Sequence, residues 1–229
     1  MPYRTAELPV QIRSHMGTRE EKKAQTRNKL MDSVLAIIGV GANFASISLR
    51  EVAKTAGVVP TSFYRHFGDM EELGLSIVDE LGLKLRRLMR GSFNAAESDE
   101  EMIRQCLETY FEYVLDNTNV FQFVNQSRTG GTPSLQDAIR DEMKFVTDRI
   151  STELRQIVPD MKTSDRDTVA SLIVSGLMES TTQLLAIPEE NAAQRDELRE
   201  QTINQMQVVL LGARHSAENL QFPATKQLQ

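Results

Sequence analysis

The chain of 229 residues has little cysteine and histidine: one cysteine, Cys106, and three histidines, His15, His66 and His215. A single cysteine excludes an internal disulfide, so the composition fits a reducing, cytoplasmic location. The histidines stand far apart, and no spacing typical of a metal site is present. The sequence therefore predicts no metal and no cofactor.

Long apolar runs and alternating runs are also missing. No stretch approaches the roughly 20 apolar residues that a bilayer core requires, so we expect no membrane partner. Residues 1–17 lack the apolar core of a signal peptide and are expected to form a disordered leader, with Met16 as an alternative start. Without alternation no strand is predicted. Because the glycine pairs follow no strand, no phosphate-binding loop is implied either, and the prediction is that the protein is not an enzyme.

The net charge of −6 hides an uneven distribution. Residues 1–68 carry 10 Lys/Arg and 5 Asp/Glu, a net of +5, whereas residues 69–229 carry 16 and 27, a net of −11. A basic N-terminal part followed by an acidic remainder would bind a polyanion at one end of the molecule. Chance segregation of charge is the alternative.

Helical periodicity runs through nearly the whole chain, which predicts an all-α fold of about nine helices. Four parts are expected: the leader, a three-helix domain over 18–68, a larger helical domain over 69–220, and a frayed tail over 221–229. Glu72 is expected to form a capping box with Asp69. Residues 91–98 are predicted to be a connector and residues 129–134 a loop.

Residues 49–67, LREVAKTAGVVPTSFYRHF, predict two short helices joined by a tight turn. Gly57 can take the left-handed conformation that ends the first helix. Phe63 and Phe67, four residues apart, define the buried face of the second helix and leave hydroxyls and cations exposed. A helix-turn-helix places such a second helix in the major groove of DNA. A purely structural helix pair is the alternative.

The exposed residue types suit DNA. An arginine guanidinium can donate two hydrogen bonds to one guanine, and hydroxyl groups bond bases or phosphates. The tyrosine and the histidine here are better placed to contact phosphate oxygens. The predicted DNA-binding residues are Lys23, Thr26, Arg27, Ser48, Arg50, Thr61, Ser62, Tyr64, Arg65 and His66.

The segment LREVAKTAGVVPTSFYRHFGDMEEL resembles the DNA-binding signature of the tetracycline-repressor (TetR) family. The basic EKKAQTRNKLMDSVL before it resembles that family's first helix, and the resemblance covers about residues 18–75. It implies a three-helix helix-turn-helix DNA-binding domain over 18–68 and a helical effector-binding and dimerisation domain over 69–220. It also implies a homodimer that binds a palindromic double-stranded operator. The runs SLREVA, DMEELGLSIVDELGLKLRRLMR and NVFQF are similar to the regulators of unsaturated fatty-acid synthesis, the FabR and DesT type. That similarity implies repression of fatty-acid genes and a long-chain acyl-CoA or acyl-ACP effector.

An aromatic cluster is the candidate effector site. Five of the chain's thirteen aromatic residues lie within positions 110–123, and helix bundles place ligands between apolar helices. Arg128 is the candidate anion anchor, with a solvated surface arginine as the alternative; Cys106 is interpreted as a small hydrophobe. The predicted ligand-binding residues, for each of which ordinary core packing is the alternative, are Tyr110, Phe111, Val114, Phe121, Val124, Arg128, Phe145, Val174 and Met178.

The last two helices are the candidate dimer interface, because two half-sites require two recognition helices. The predicted interface residues, which could equally close the monomer core, are Ala170, Val174, Leu177, Leu184, Ile203, Met206, Val209 and Leu210. Two other functions stay open. One is a TetR-type repressor of an efflux or catabolic operon that responds to a different hydrophobic ligand, with Glu108 or Glu112 pairing a cation. The other is a helical interaction protein that does not bind DNA.

Overall fold

The computed structural model describes residues 18–91 and 98–219. The predicted leader, the predicted tail and most of the predicted connector over 91–98 lie outside these residues. The described part is all-helical, which confirms the predicted fold class. Its α-helices are α1 (Arg19–Gly39), α2 (Leu49–Thr55), α3 (Pro60–Phe63), α4 (Met70–Gly91), α5 (Asp99–Asp116), α6 (Thr118–Gly130), α7 (Pro133–Ile157), α8 (Thr163–Ala186) and α9 (Ala192–Asn219), with a short 3-10 helix at Phe44–Ser46.

Side-chain caps fix where several helices begin. The Ser48 side chain accepts a hydrogen bond from the Glu51 amide at 3.2 Å and starts α2. The Ser98 side chain likewise accepts one from the Glu101 amide and starts α5. Asp69 accepts the Glu72 amide at 2.8 Å. The predicted capping box there is corrected: the Glu72 carboxylate accepts the amide of Gly68, not that of Asp69, at 2.6 Å. The carboxylate thus closes the turn one residue earlier than a capping box does.

The predicted loop over 129–134 is wrong. The α6 helix runs to Gly130 and α7 begins at Pro133, so only two residues join them. Proline suits the first turn of a helix, and Thr132 caps α7 by accepting the Leu135 amide at 3.4 Å. The glycine and proline that suggested a long loop instead end one helix and start the next.

One hydrophobic core joins the first three helices to the bundle. The ring of Phe44 meets that of Phe123 edge to face, with 4.9 Å between centroids. A Cβ at Gly74 would lie 2.9 Å from the Phe44 ring and 3.1 Å from Leu135, so this glycine permits close packing of α4. The Gln126 side chain accepts the Phe44 amide and donates to the Ala42 carbonyl, both at 3.2 Å.

The α4 and α7 helices lie side by side and run in the same direction. The Thr132 hydroxyl donates to the Glu71 carboxylate at 2.6 Å near their first turns. Further along, Arg86 of α4 donates to Glu142 of α7 at 2.6 Å. Because α4 follows α3 after a short turn, it connects the helix-turn-helix to the bundle.

Among the described residues, one helix is long and apolar enough to span a membrane by length and composition. It is α8, with a mean hydropathy of 1.2 over its best window. The sequence-based expectation of no such segment therefore has one marginal exception. The helix packs against α7 and α9, and packed helices of globular proteins pass the same test.

Candidate nucleic-acid interface and ligand cavity

The α3 helix is shorter than the predicted second helix: it ends at Phe63, and residues 64–66 form a turn. Helix and turn together have one fully buried face and one open face. Phe63 and Phe67 are buried, with their ring centroids 5.7 Å apart. Gly57 adopts a φ of +67°, which gives the tight turn between α2 and α3. The opposite face is accessible: Tyr64 is 64% exposed, and Arg65 is exposed beside it. Thr61 is also exposed, and Ser62 is half-buried.

Cations of α1 and of the turn after α3 come together around His66. Burial lowers the pKa of His66, and the charges of Lys23, Arg27 and Arg65 lower it further. The imidazole is therefore neutral near pH 7, and its buried Nδ1 has no hydrogen-bond partner. The cluster shows that the basic part of α1 and the open face of α3 belong to one positive surface.

The other predicted DNA-binding residues fall into two groups. Lys23 and Arg50 are exposed. Thr26 and Ser48 are engaged locally, since Thr26 donates to the Lys22 carbonyl at 2.9 Å and Ser48 caps α2.

Arg27 is held by the protein itself. Its guanidinium lies 4.9 Å from the centroid of the Phe67 ring and 3.6 Å from Glu80. Arg27 thus braces α1 against the buried face of α3, a packing role that the sequence did not indicate.

Sequence reasoning missed Val59, which directly precedes α3 and is 65% exposed. An exposed valine at the start of a recognition helix can contact a thymine methyl group. The sequence did carry a signal for it: Val59 is apolar, yet it belongs to the buried face of neither α2 nor α3.

A cavity of about 240 Å³ lies between α4, α5, α6, α7, α8 and α9. Its lining on α7 extends from Ile139 to Ile157, which at 1.5 Å per residue is about 27 Å. The lining is thus long relative to the volume of the cavity, and this elongated cavity is termed the tunnel. The lining is apolar except for a few groups, chiefly Cys106, Tyr110, Glu142 and Glu153.

Five of the predicted ligand residues line this cavity: Tyr110, Phe121, Val124, Val174 and Met178. The Tyr110 hydroxyl is hydrogen-bonded to the Thr181 hydroxyl at 2.6 Å. Burial raises the pKa of Tyr110 to about 12, so its hydroxyl stays protonated.

The remaining four predicted ligand residues are not among those that line the cavity, and this is a correction. Phe111 and Val114 are fully buried but pack in the core, because they lie on another face of α5. Arg128 is exposed near the end of α6. Phe145 is 42% exposed, and the Arg86 guanidinium lies over its ring, 4.3 Å from the centroid. The rival cation partners Glu108 and Glu112 are likewise exposed and outside the lining.

Sequence reasoning missed the contribution of α4, whose Val78, Leu81 and Leu85 line the cavity. The apolar spacing of these residues was visible, but nothing local showed whether they faced a core or a cavity. Cys106 also lines it. Burial raises the pKa of this thiol to about 11, with a smaller contribution from the Glu153 charge, so it is protonated near neutral pH.

Two ion pairs involve the cavity's carboxylates. Glu142 pairs with Arg86, and Glu153 pairs with Arg149 one turn away on α7. The described residues that line the cavity include no lysine or arginine. Within the described parts of the chain, no group of histidine, cysteine and carboxylate side chains could hold a metal ion.

The predicted dimer residues mostly lie inside the monomer, which corrects that prediction. Leu177 and Val209 are half-buried. The exposed apolar side chains of these two helices are instead Leu172, Val208 and Leu211. Both helices carry apolar residues on more than one face, so helical spacing alone selected the inward one. The predicted interface residues that are buried within the single chain are Ala170, Val174, Leu184, Ile203, Met206 and Leu210.

Known proteins share both parts of this architecture. Residues 42–77 match the family model of the bacterial regulatory proteins of the tetR family. The fatty acid degradation regulator FadR from Bacillus halodurans has a TM-score of 0.67 at 16% identity, over 82% of this chain and 96% of that one. A transcriptional regulator FadR from Bacillus subtilis, in complex with stearoyl-CoA, has a TM-score of 0.64 at 16% identity, over 81% and 98%. A putative transcriptional regulator from Pseudomonas aeruginosa has a TM-score of 0.65 at 17% identity, over 90% and 97%.

The match over 42–77 spans the α2–turn–α3 unit and the start of α4, the region that carries the open recognition face. The solved structures share the fold of the whole described bundle. The chain thus carries a tetR-family segment at residues 42–77, within a helical fold that solved transcriptional regulators share.

Proposed function

We propose that the protein is a cytoplasmic, ligand-responsive repressor that binds a palindromic operator as a homodimer. Its effector in this proposal is a long-chain acyl-CoA or acyl-ACP, and its targets are fatty-acid genes, including those that set the balance of unsaturated and saturated chains. The observation that carries the proposal is the tunnel-shaped apolar cavity, whose α4 wall continues directly into the helix-turn-helix.

The shape of the cavity supports an acyl chain. A narrow tunnel about 27 Å long suits an extended hydrocarbon better than a compact drug. Each methylene buried contributes about 0.8 kcal/mol, so affinity should rise with chain length until the tunnel is full. One structure of this fold holds stearoyl-CoA, and its ligand class suits such a tunnel.

The α6 helix offers a physical route from cavity to DNA. Phe121 and Val124 line the cavity, while Phe123 packs on Phe44 and Gln126 bonds the segment before α2. An occupant that shifts α6 or α4 therefore also shifts the helix-turn-helix. The ligand changes operator affinity only by its differential affinity for the two arrangements.

In this proposal the DNA surface combines the exposed cations of α1 with Thr61 of α3 and with Tyr64 and Arg65 of the turn after it. The dimer interface is formed by the outer faces of α8 and α9, where Leu172, Val208 and Leu211 are exposed. Large apolar side chains grouped on two neighbouring helices are typical of a covered surface.

The test is binding with two readouts on one preparation. An operator is first selected from random duplex DNA, and acyl-CoAs of graded length and unsaturation are then titrated by calorimetry while operator affinity is measured in parallel. We expect tight binding of a long-chain acyl-CoA together with a changed operator affinity. Indifference to every acyl chain would refute the acyl effector. A response to cationic amphiphiles instead would favour the efflux-type repressor, with Glu142 or Glu153 in the role first considered for Glu108 and Glu112.

A further inference from the structure

The boundary of the cavity between α4 and α7 holds an ion pair of unusual construction. A single nitrogen of Arg86, Nη2, donates to both oxygens of Glu142, at 2.6 and 2.7 Å. The guanidinium also lies over the Phe145 ring, 4.3 Å from its centroid. Glu142 belongs to the cavity lining and Arg86 does not. The pair therefore stands where the apolar cavity meets its polar surroundings, with 28% and 23% of the two side chains exposed.

The backbone of α4 is shaped around this carboxylate. A Cβ at Gly82 would overlap the Glu142 carboxyl group, so only glycine leaves the space that the carboxylate occupies. Gly82 lies one helical turn before Arg86, and together they form a cradle for a planar anionic group. Guanidinium groups bind carboxylates and phosphates through such planar contacts.

We propose that this cradle is the head-group subsite of the cavity, in which an anionic oxygen group of an acyl ligand replaces Glu142 on Arg86. The inference rests on the proposed function, since the tail must occupy the apolar tunnel. An anionic head cannot remain inside, because the charged groups of the described lining are the carboxylates Glu142 and Glu153. At the boundary, Arg86 is the cation in place. When the ligand's anionic group displaces Glu142 from Arg86, α4 and α7 separate at one of their polar contacts. Because α4 follows α3, this change reaches the helix-turn-helix.

The shared chemistry is an anion next to a hydrocarbon tail, and it has two sources: the carboxylate of a free fatty acid or a phosphate of an acyl thioester. Dodecanoate, dodecanoyl-CoA, neutral dodecanol and dodecylammonium have the same tail length, so calorimetry with these four probes isolates the head group. The variants are Arg86→Gln, Glu142→Gln and Gly82→Ala. Arg87→Gln is the matched control, since Arg87 is the exposed neighbour of Arg86.

We expect R86Q to weaken dodecanoate binding roughly tenfold while leaving dodecanol binding unchanged, because only the anion loses a charge-assisted partner. E142Q should strengthen dodecanoate binding several-fold, since it removes the competitor for Arg86. G82A should act in the same direction by forcing the carboxylate off its position. R87Q should match the native protein. The opposite sign of E142Q keeps the proposal testable if R86Q unfolds, which thermal melts would reveal.

A loss of dodecanoyl-CoA affinity in R86Q would assign the phosphate source, and a loss confined to dodecanoate would assign the carboxylate. Equal effects of R86Q on dodecanoate and dodecanol would overturn the subsite but leave the acyl-responsive function intact. Preference for dodecylammonium, abolished by E142Q, would overturn the subsite and the anionic effector together. Failure of every probe to bind would overturn the subsite, and indifference to longer acyl chains as well would refute the proposed function.

Discussion

The helix-turn-helix and the bundle build their sites in different ways. In the former, the recognition face and the aromatic rings buried beneath it lie within 20 positions of each other, from Ser48 to Phe67, and the cations of α1 join them. In the bundle, each feature of the cavity needs partners far apart in the chain, such as Arg86 and Glu142. The first site is a local pattern that a sequence displays directly. The second exists only after distant helices have packed.

The largest expected effect distinguishes a residue that supports the fold of this region from a neighbouring residue that contacts the operator. Phe63→Ala should lower the free energy of unfolding by about 3–5 kcal/mol, because it removes a fully buried aromatic ring. Tyr64→Ala, one residue later and 64% exposed, should change it little yet weaken operator binding. Chemical denaturation and operator titration measure the two effects. Equal destabilisation by both variants would show that Tyr64 is also a structural residue.

The next effect concerns base reading. Arg65→Ala should weaken operator binding by about 1–3 kcal/mol without changing stability, as expected for a lost contact to a base edge. Titration of the selected operator provides the measurement, with Arg87→Ala as the control because Arg87 is exposed on α4, which follows the recognition unit. Unchanged affinity for the Arg65 variant would place that residue away from the groove.

The positive surface should also be visible in the salt dependence. Lys22, Lys23 and Lys29 are exposed on α1, and each phosphate contact contributes about 0.9 to the slope of log affinity against log salt. Replacing all three with Gln should therefore reduce the slope by up to about 2.7 for each subunit, or about 5.4 for the proposed dimer. Arg27 is left in place because it is stacked on Phe67. A slope identical to that of the native protein would exclude α1 from the DNA interface.

A smaller effect tests the link between the two regions. Gln126→Ala leaves the Phe44 amide and the Ala42 carbonyl without their partner, which should cost about 1–2 kcal/mol of stability. We also expect the ligand to change operator affinity less in this variant, although ligand and DNA still bind. The ratio of operator affinities with and without acyl-CoA is the measurement. A ratio equal to the native one would remove Gln126 from the coupling route.

The smallest effect is a pH dependence from His66. Its pKa is lowered in the folded state, first by burial and then by neighbouring cations. Between the folded and the unfolded pKa the unfolded chain binds more protons, so stability rises with pH there. The contribution is fully present above the unfolded value, near 6.5, and is lost as pH falls through the folded value. His66→Gln should flatten the unfolding free energy over this window. An unaltered pH profile would show that His66 does not carry it.

The sequence predicted the turn at Gly57 and the burial of Phe63 and Phe67, although α3 ends earlier than the predicted second helix. Gly57, Phe63 and Phe67 impose a turn and a buried face through local conformation and helical spacing, so both follow from short segments alone. The all-α class follows for the same reason, because helical periodicity repeats within a few turns.

Only the tertiary structure decided which apolar face of each bundle helix lines the cavity, fills the core or stays exposed. Spacing placed Phe111 on α5 beside Tyr110, yet only Tyr110 lines the cavity. It likewise favoured Leu184 for an interface, whereas Leu172 is the exposed leucine on α8. A helix that carries apolar residues on several faces has no preferred orientation of its own. Its neighbours set that orientation, through contacts such as Gly74 against Phe44 and Arg86 on Glu142 that join residues far apart in the chain.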